Sequence, residues 1–454
     1  MAKVKKAKIA IEDILLPIDE HPYEIPQNWC WVKHNGVLDI SGGSQPAKSY
    51  FISEPTEGYI KLYQTRDYGD NPVPVYIPEK YATKTTLEGD ILLARYGGSL
   101  GKVFRAHEGA YNVALAKVIK LYPDLIDDEY LYKYYFTQFY QDFCVKASKG
   151  RSAQAGFNRD DMNNIPFPLP PLAEQRRIVE QIESLFSKLD EAKEKALSVV
   201  ESFESRKIAI LNNAFNGLYS TDWREKHHCT LDDWRDRKIN EICIPRAGFA
   251  FDSKKFTESG IQIIRMGNLY AGKLNLSRSP VFYDISDVDD NIIKRSMVHD
   301  GDILLTLTGT KYKRDYGYAV CIEGEHELLV NQRILCLSPT EKIDKEYLLY
   351  YLRSEIFRDI FFSNETGGVN QGNVSSKFVE NIEIKLPSIE EQKEISKILK
   401  NILTKEEQAK ELAEFVIEQI ELMKKSILAK AFRGELGTNI ATEESAIELL
   451  KSIL

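Results

Sequence analysis

Two segments without proline, residues 172–215 and 389–432, carry apolar side chains at alternating steps of four and three residues. Such a heptad stripe is typical of a helix that buries a narrow seam against a second helix. Each segment follows a proline and is followed by Gly217 or Gly434, which are helix start and stop signals. The pattern predicts two long helices that pair with each other. The predicted seam positions are Ile178, Ile182, Leu185, Leu189, Val199, Phe203, Ile395, Leu399, Ile402, Val416, Ile420 and Met423.

One polar residue interrupts each stripe, Arg206 in the first helix and Glu406 in the second. Arg206 lies near the C-terminal end of its stripe and Glu406 near the N-terminal end of the other. Antiparallel pairing could therefore bring them together, and we expect it over the parallel alternative. A helix of this length spans roughly 66 Å at ~1.5 Å per residue, enough to hold two domains at a fixed separation.

The two remaining stretches, residues 21–165 and 221–382, have a different texture. They are rich in Gly, Pro and Tyr, with short β-branched runs such as Val73-Pro-Val-Tyr-Ile77. This pattern predicts mixed, largely β domains with many turns. The predicted fold class is α+β: two globular mixed α/β domains related by pseudo-twofold symmetry, separated by an antiparallel coiled coil of two long helices.

The second half of the chain repeats the first at an offset of about 217 residues. Pro171-Leu-Ala-Glu-Gln175 returns as Ser388-Ile-Glu-Glu-Gln392, and Ala214-Phe-Asn-Gly217 returns as Ala431-Phe-Arg-Gly434. Nearer the front the offset is shorter, since Gly89-Asp-Ile-Leu-Leu93 matches Gly301-Asp-Ile-Leu-Leu305. Loop insertions between the copies explain the drift. We predict six regions in this order: an N-terminal segment (1–20), a first globular domain (21–165), a first spacer helix region (166–220), a second globular domain (221–382), a second spacer helix region (383–436) and a C-terminal helical tail (437–454).

Composition narrows the class of protein without naming a function. The 454 residues are 43% hydrophobic and 28% charged, as expected of a soluble multidomain protein. Acidic residues interrupt any apolar run after the basic N-terminus, so we expect neither a signal peptide nor a membrane span, and a cytoplasmic location. The six cysteines lie far apart, so we expect no metal site. The net charge of −8 means that any DNA contact must use locally placed cations.

Taken together, these motifs resemble the specificity subunits of type I restriction-modification systems. The helix starts at Leu169-Pro-Pro-Leu-Ala-Glu-Gln175 and Leu386-Pro-Ser-Ile-Glu-Glu-Gln392 carry the resemblance, with the Ala-Phe-x-Gly ends and Ile25-Pro-Gln-Asn-Trp29 before the first domain. The likeness covers nearly all of the chain. One departure precedes the second domain, where Thr221-Asp-Trp-Arg224 and Leu231-Asp-Asp-Trp234 replace a clean Ile-Pro-x-x-Trp and leave that boundary in doubt.

The resemblance implies that the globular parts are target recognition domains, each reading one half of a bipartite, asymmetric site in double-stranded DNA. It implies that the helices act as a spacer and dock two modification (methyltransferase) subunits, which restriction (translocase/endonuclease) subunits then join. The chain would be a non-catalytic subunit of a DNA adenine methyltransferase and type I site-specific endonuclease, and it would hold no cofactor. Two alternatives stay open: a subunit of a methylation-only or other defence system, and a coiled-coil scaffold that does not bind DNA.

Glycine-containing loops with basic and amide side chains are the candidate DNA contacts, because backbone can approach phosphate there and these side chains can reach base edges. The insertion Lys311–Arg314 is the richest basic and aromatic stretch. Gly97–Lys102 is not a phosphate loop, because Tyr96 stands at the first glycine position and Val103 at the Ser/Thr position. The candidates are Arg66, Tyr68, Arg95, Ser99, Lys102, Lys149, Arg151, Gln154, Arg265, Asn268, Thr310, Lys311, Lys313, Arg314, Asn370 and Gln371. The copies differ most in these loops, so they should read different half-sites.

Overall fold

The computed structural model describes residues 10–149, 156–163, 165–286 and 288–454. They form two compact units. Unit 1 lies within residues 1–196 and 415–454, and unit 2 comprises residues 197–414. The predicted spacer regions are thus divided between the units, because each half of a long helix packs into the core of the unit it adjoins.

Unit 1 contains two four-stranded sheets and a two-stranded ribbon. The first sheet is antiparallel throughout, in the order Leu38–Gly42, Leu115–Lys120, Ile91–Ala94 and Val103–Arg105. In the second sheet the order is Tyr76–Pro78, Tyr59–Tyr63, Gly109–Tyr111 and Thr85–Thr86, and its two middle strands are parallel. The ribbon pairs Cys30–Lys33 with Pro166–Leu169.

All four residues of the strand Ile91–Ala94 are buried. Ile91 and Leu93 join the core formed with the helices, whereas Leu92 and Ala94 pack in a separate cluster with Tyr111. Successive side chains of a strand point to opposite faces, so both faces of this strand are covered. This explains why Gly-Asp-Ile-Leu-Leu reads as a continuous apolar run rather than an alternating one.

Unit 2 repeats the antiparallel sheet and the ribbon, and its second sheet has the equivalent parallel pair at one edge rather than in the middle. Its antiparallel sheet has the order Cys243–Ala247, Ile334–Pro339, Ile303–Thr306 and Ala319–Cys321, and its second sheet Phe256–Thr257, Phe282–Tyr283, Ile261–Ile264 and Leu328–Val330. The last two of these strands are parallel. The ribbon pairs Arg235–Lys238 with Glu383–Leu386, and a further short pair joins Thr308–Gly309 to Gly372–Asn373.

The helices complete both cores. In unit 1 the α-helices are Ile11–Ile14, His34–Val37, Asp128–Tyr134, Gln138–Lys149 and Ala446–Ile453. In unit 2 they are Phe203–Phe215, Thr221–His227, Ile239–Ile242, Asp290–Ser296, Lys345–Arg353, Glu355–Ser363 and Ser376–Glu380. Two long helices, Leu172–Glu201 and Ile389–Ala431, have residues in both units. The single helix predicted over residues 172–215 is divided at Ser202, after which the helix Phe203–Phe215 carries the rest of the stripe.

Within unit 1 the two long helices run antiparallel. Asp190 pairs with Lys424, and three residues further along the first helix Lys193 Nζ lies 2.5 Å from Glu421 Oε1. Partner numbers fall on one helix as they rise on the other, which only an antiparallel pair produces. Ile178 and Ile182 are fully buried in the same core as Leu428.

Unit 2 shows the same direction of pairing. Arg206 Nε donates to Glu406 Oε2 at 2.7 Å, and Lys410 Nζ lies 4.8 Å from the centre of the Phe203 ring. The predicted antiparallel pairing is confirmed in each unit, and the two polar breaks of the stripes are partners.

The seam positions differ in burial. Ile178, Ile182, Phe203, Ile395, Leu399 and Ile420 are buried, and Leu185, Leu189, Val199, Ile402 and Val416 are partly buried. Met423 is 51% exposed, so its assignment to the seam is wrong. The next seam residue lies four positions after Ile420 rather than three, at Lys424. The aliphatic part of the Lys424 side chain packs there, and its Nζ lies 5.1 Å from the Phe186 ring centre.

The Glu-Gln pair at each helix start anchors the helix to its unit. Gln175 Oε1 accepts from the Asp127 amide at 2.8 Å, and Gln392 Oε1 accepts from the Asp344 amide at 2.9 Å. Each glutamine thereby fixes the start of the neighbouring helix, Asp128–Tyr134 in unit 1 and Lys345–Arg353 in unit 2.

The preceding glutamates are buried and accept hydrogen bonds from matching tryptophans. Trp29 Nε1 donates to Glu174 at 2.7 Å, and Trp234 Nε1 donates to Glu391 at 3.1 Å. Trp234 therefore does in unit 2 what Trp29 does in unit 1, despite the altered sequence before it. Arg224 also donates to Glu391, at 2.9 Å, in a buried ion pair.

Both ends of the described chain belong to unit 1. Ile14 is 1% exposed, and the Leu16 amide donates to the Trp31 carbonyl. In the C-terminal tail, Ala446 and Leu450 are fully buried in the same core as Ile14. Asn439 Nδ2 donates to Glu174 Oε2 at 2.7 Å, so the tail completes the anchor of the first long helix.

Candidate nucleic-acid interface

Three loops of unit 1 meet at one edge of its sheets. Because strands Tyr59–Tyr63 and Gly109–Tyr111 are parallel, their carboxyl ends lie side by side, and the Asn112 amide donates to the Tyr63 carbonyl at 3.0 Å. The Arg95 amide, just after strand Ile91–Ala94, donates to the Ala114 carbonyl at 2.9 Å. Residues 64–68, 95–102 and 112–114 therefore form one surface, which we call loop edge 1.

Unit 2 builds its edge with equivalent bonds. The Asn331 amide donates to the Ile264 carbonyl at 3.1 Å, and the Leu307 amide donates to the Arg333 carbonyl at 3.0 Å. The Val374 amide adds a bond to the Leu307 carbonyl at 2.9 Å. Residues 265–268, 308–314, 331–333 and 366–373 form loop edge 2.

A glycine in each unit permits this close packing. A Cβ on Gly43 would lie 2.1 Å from the Asn112 carbonyl oxygen, and one on Gly248 would lie 2.2 Å from that of Asn331. Both distances are far inside van der Waals contact, so each position requires glycine. The two edges therefore share the same backbone hydrogen bonds and the same close glycine contact, an arrangement that we call the frame.

Loop edge 1 presents two free cations. Arg66 and Lys102 are exposed, and neither side chain contacts a partner among the described residues. Arg95 Nη2 donates to the Val113 carbonyl at 2.7 Å, and its guanidinium lies 4.8 Å from the Tyr96 ring centre. Ser99 is partly exposed in the same loop.

Tyr68 is held inside an aromatic cluster. Its ring stacks on Phe104 at 4.5 Å, and burial raises the pKa of its hydroxyl to about 12. The side chain therefore packs the loop, which is a structural role that the sequence did not predict. Lys149 is the last residue of the helix Gln138–Lys149, while Arg151 and Gln154 lie outside the described residues.

In loop edge 2 the structure contradicts the prediction that the Asn268 side chain contacts DNA. Asn268 is 2% exposed, its Nδ2 donates to the carbonyls of Asn275 and Arg278, and its Oδ1 accepts from the Arg265 amide. Since both ends of the amide are occupied, Asn268 braces the loop and cannot read a base. Arg265 is partly exposed and donates to the Ser279 carbonyl at 2.7 Å.

The basic side chains of the insertion Lys311–Arg314 differ in whether they are already paired with an acid. Lys313 is exposed and contacts no described acid, and Lys311 Nζ donates to the Gly367 carbonyl at 3.3 Å. Arg314 instead pairs with Asp359 at 2.7 Å and Glu355 at 3.6 Å, so its charge is largely neutralised. Tyr312, the aromatic residue of this insertion, is 81% exposed with a left-handed φ of 65°.

The remaining predicted residues lie on the same edge. The Thr310 amide donates to Asp315 Oδ1 at 2.7 Å. Asn370 and Gln371 are exposed, and Gln371 lines a cavity of about 340 Å³ together with Tyr270, Thr310 and Arg333.

Sequence reasoning missed the turn Asn331–Arg333. It borders that cavity and also a second cleft of about 620 Å³, whose described lining includes Arg265, Arg278 and Arg333 and has no carboxylate. Alignment of Asn331-Gln-Arg with Asn112-Val-Ala in the repeat would have found it, since the two turns follow equivalent strands.

The described residues contain no cluster of ligands suited to a metal ion. All six cysteines are free thiols, and burial raises the pKa of Cys30 to about 12 and that of Cys144 to about 11. Across the described helices, none combines the length and the apolarity that crossing a membrane requires.

Comparison with known proteins agrees with this double arrangement. The sequence model of the type I restriction modification DNA specificity domain matches residues 26–201 and again residues 231–415. The chain belongs to this family. It is a type I restriction-modification specificity subunit with two DNA-recognition domains, and each match contains one loop edge.

Relatives extend the likeness over almost the whole subunit. The chain is 25% identical to the MjaVIII specificity subunit of Methanocaldococcus jannaschii, over 92% of this chain and 95% of that one. It is 24% identical to the EcoKI specificity subunit of Escherichia coli, over 95% and 96% of the two chains.

Solved structures share the fold of the subunit. The HsdS subunit from Thermoanaerobacter tengcongensis aligns with a TM-score of 0.62 at 19% identity, covering 92% of this chain and all of that one. A chain from a study of type I R-M complex assembly and conformational transition aligns with a TM-score of 0.65 at 19% identity, covering 91% and 100%.

Proposed function

We propose that the subunit reads a bipartite, asymmetric DNA site, one half with each loop edge, on behalf of a methyltransferase. The observation that carries the proposal is that two edges with the same backbone hydrogen bonds present different side chains. Identical frames place both edges on DNA in the same way, whereas unlike side chains select unlike bases.

Charge placement supports DNA as the ligand. Although the chain has a net charge of −8, the free side chains on the edges include Arg66, Lys102, Lys313 and Arg333. Local cations attract the phosphate backbone regardless of the overall charge, and glycine-rich loops let backbone amides approach it.

The helices that carry the two apolar stripes supply surfaces for modification subunits. Leu197, Ile208 and Leu412 in unit 2 are 37%, 38% and 63% exposed, and Leu422 and Met423 in unit 1 are 56% and 51% exposed. A partner that covers these side chains would remove apolar surface from water, which favours association. We propose that two modification subunits dock here, one for each unit, that restriction subunits join them, and that the catalytic cofactors bind to these partners.

The test is methylation of a random-sequence plasmid library by the full chain co-expressed with a modification subunit. Sequencing that detects methylated bases is expected to return one motif of two unlike halves at a fixed spacing. Native mass spectrometry of the complex is expected to show two modification subunits per chain. A palindromic motif, a single uninterrupted motif, or methylation without sequence preference would contradict the proposal.

A further inference from the structure

A turn of three residues follows the parallel strand in each unit and has the same internal structure in both. In unit 1 the Leu115 amide donates to the Asn112 carbonyl at 3.0 Å, and in unit 2 the Ile334 amide donates to the Asn331 carbonyl at 3.0 Å. Gly43 and Gly248 close on these turns through bonds to Leu115 and Ile334. The asparagine and its backbone bonds therefore belong to the frame of the edge.

The two residues after the asparagine, which we call the tip, differ completely between the units. In unit 1 the tip is Val113 and Ala114, and Val113 is 45% exposed. In unit 2 the tip is Gln332 and Arg333, both exposed. Neither side chain of the unit 2 tip contacts a partner among the described residues, unlike Arg314 and Arg265 on the same edge. Among the described residues, these two side chains therefore add no hydrogen bond or ion pair to the fold.

Arg333 occupies a central place on loop edge 2, because it lines both the 340 Å³ cavity and the 620 Å³ cleft. Arg265 and Arg278 line the cleft, where the guanidinium of Arg278 lies 5.2 Å from the Tyr270 ring centre. With cations around it to hold phosphates, a free guanidinium at the middle of the edge is placed to reach past the backbone to the bases.

We propose that the tips are the specificity-determining residues of the two recognition domains, an inference that rests on the proposed function. In unit 2, Arg333 reads a guanine through two hydrogen bonds to O6 and N7, and Gln332 reads an adjacent base, with adenine as its matching partner. In unit 1, Val113 contacts the methyl group of a thymine. The tips thus make one half-site depend on hydrogen bonds to purines and the other on apolar contact.

The experiment repeats the methylation of the random library with the full complex carrying Arg333→Ala. Loss of a bidentate contact should reduce discrimination at one base position, in one half of the motif, by about 5- to 150-fold. The other half should be unchanged. Because the Arg333 side chain has no hydrogen bond or ion pair with the described residues, and the variant keeps the backbone carbonyl that accepts from Leu307, the thermal unfolding of the variant should match that of the wild type.

A second variant transfers the tip of unit 1 to unit 2, as Gln332→Val with Arg333→Ala. It should replace the purine preference in that half with a preference for thymine at one position. Arg237→Ala removes an arginine that is 53% exposed on the same unit and lines neither cavity, and it should leave the motif unchanged.

Three results would overturn the assignment of the tips. They are an unchanged motif with Arg333→Ala, an equal loss at all positions of both halves as a phosphate contact would give, and the same effect from Arg237→Ala. A wild-type complex that yields no bipartite motif would instead refute the proposed function itself.

Discussion

Arg206 and Glu406 are the polar interruptions of two otherwise apolar stripes, and they meet: Arg206 Nε lies 2.7 Å from Glu406 Oε2. The guanidinium also donates to the Val199 carbonyl at 3.1 Å, in the last turn of the preceding helix Leu172–Glu201. A salt bridge in a seam permits only the register in which its two members face each other, so this pair selects one alignment of the helices in unit 2.

Removing either member of this pair should therefore cost more than removing both. Arg206→Met and Glu406→Leu are each expected to lower the free energy of unfolding by about 1 kcal/mol, because the partner's charge stays in the seam, and the double variant should recover part of that loss. Urea denaturation of the two single variants and the double variant measures the coupling. Strictly additive losses would show that the pair contributes nothing.

His34 makes the stability of unit 1 depend on pH. It is fully buried and hydrogen-bonded to the Tyr135 hydroxyl at 2.9 Å, and burial lowers the pKa of its imidazole to about 4 from 6.5. As the pH falls, the unfolded chain takes up this proton at a higher pH than the folded chain does. The free energy of unfolding is therefore unaffected by His34 above pH 6.5, and it decreases by about 3 kcal/mol as the pH falls from 6.5 towards 4.

Unit 2 supplies the control, because Ile239 and Leu352 stand where unit 1 has His34 and Tyr135, and both are fully buried. The variant His34→Ile with Tyr135→Leu should lose this part of the pH dependence when unfolding is followed from pH 7 to pH 4. A slope equal to that of the wild type would assign the acid sensitivity to other groups.

The C-terminal tail should contribute to the stability of unit 1 as part of its core. Leu450 is fully buried, so Leu450→Ala is expected to cost about 2–5 kcal/mol of unfolding free energy. Ser452→Ala, at an exposed position of the same helix, should change it by less than about 0.5 kcal/mol. Calorimetry of both variants gives the comparison, and equal unfolding temperatures would mean that the tail is not part of the core.

Neighbouring positions on the second long helix should respond in opposite ways. Met423→Glu places a charge where the side chain is already exposed, so it should change the free energy of unfolding by less than about 0.5 kcal/mol. Ile420→Ala, at a position 3% exposed, should cost about 2–5 kcal/mol. Denaturation curves of the two variants distinguish these positions, and a large loss with Met423→Glu would restore this residue to the seam.

The sequence predicted what depends on periodicity. Helix pairing follows from the spacing of apolar residues, and the duplication follows from repeated motifs. The antiparallel direction and the Arg206–Glu406 contact follow from the symmetry of the repeat and from where two polar residues interrupt the stripes. Met423 shows the limit of this reasoning, because a strict heptad cannot reveal that the helix takes a step of four at Lys424.

The loops were harder to predict, because residue type does not reveal whether a polar group is already bonded. Asn268 and Arg314 have the chemistry of DNA contacts, yet both are occupied within the fold. Arg333 is free, but it follows a strand in a turn with little local signature, and only comparison of the two copies of the repeat would draw attention to it.

The shared frame of the two edges has a consequence for how such a subunit can change over generations. A side chain at Gly43 or Gly248 would collide with backbone. The side chains of Gln332, Arg333 and Val113 are exposed, so replacing them should change the stability of the fold very little. Random substitutions are therefore eliminated at the base of each turn and tolerated at its end. Substitutions therefore accumulate at the positions where a new side chain changes the affinity for DNA and leaves the fold unchanged.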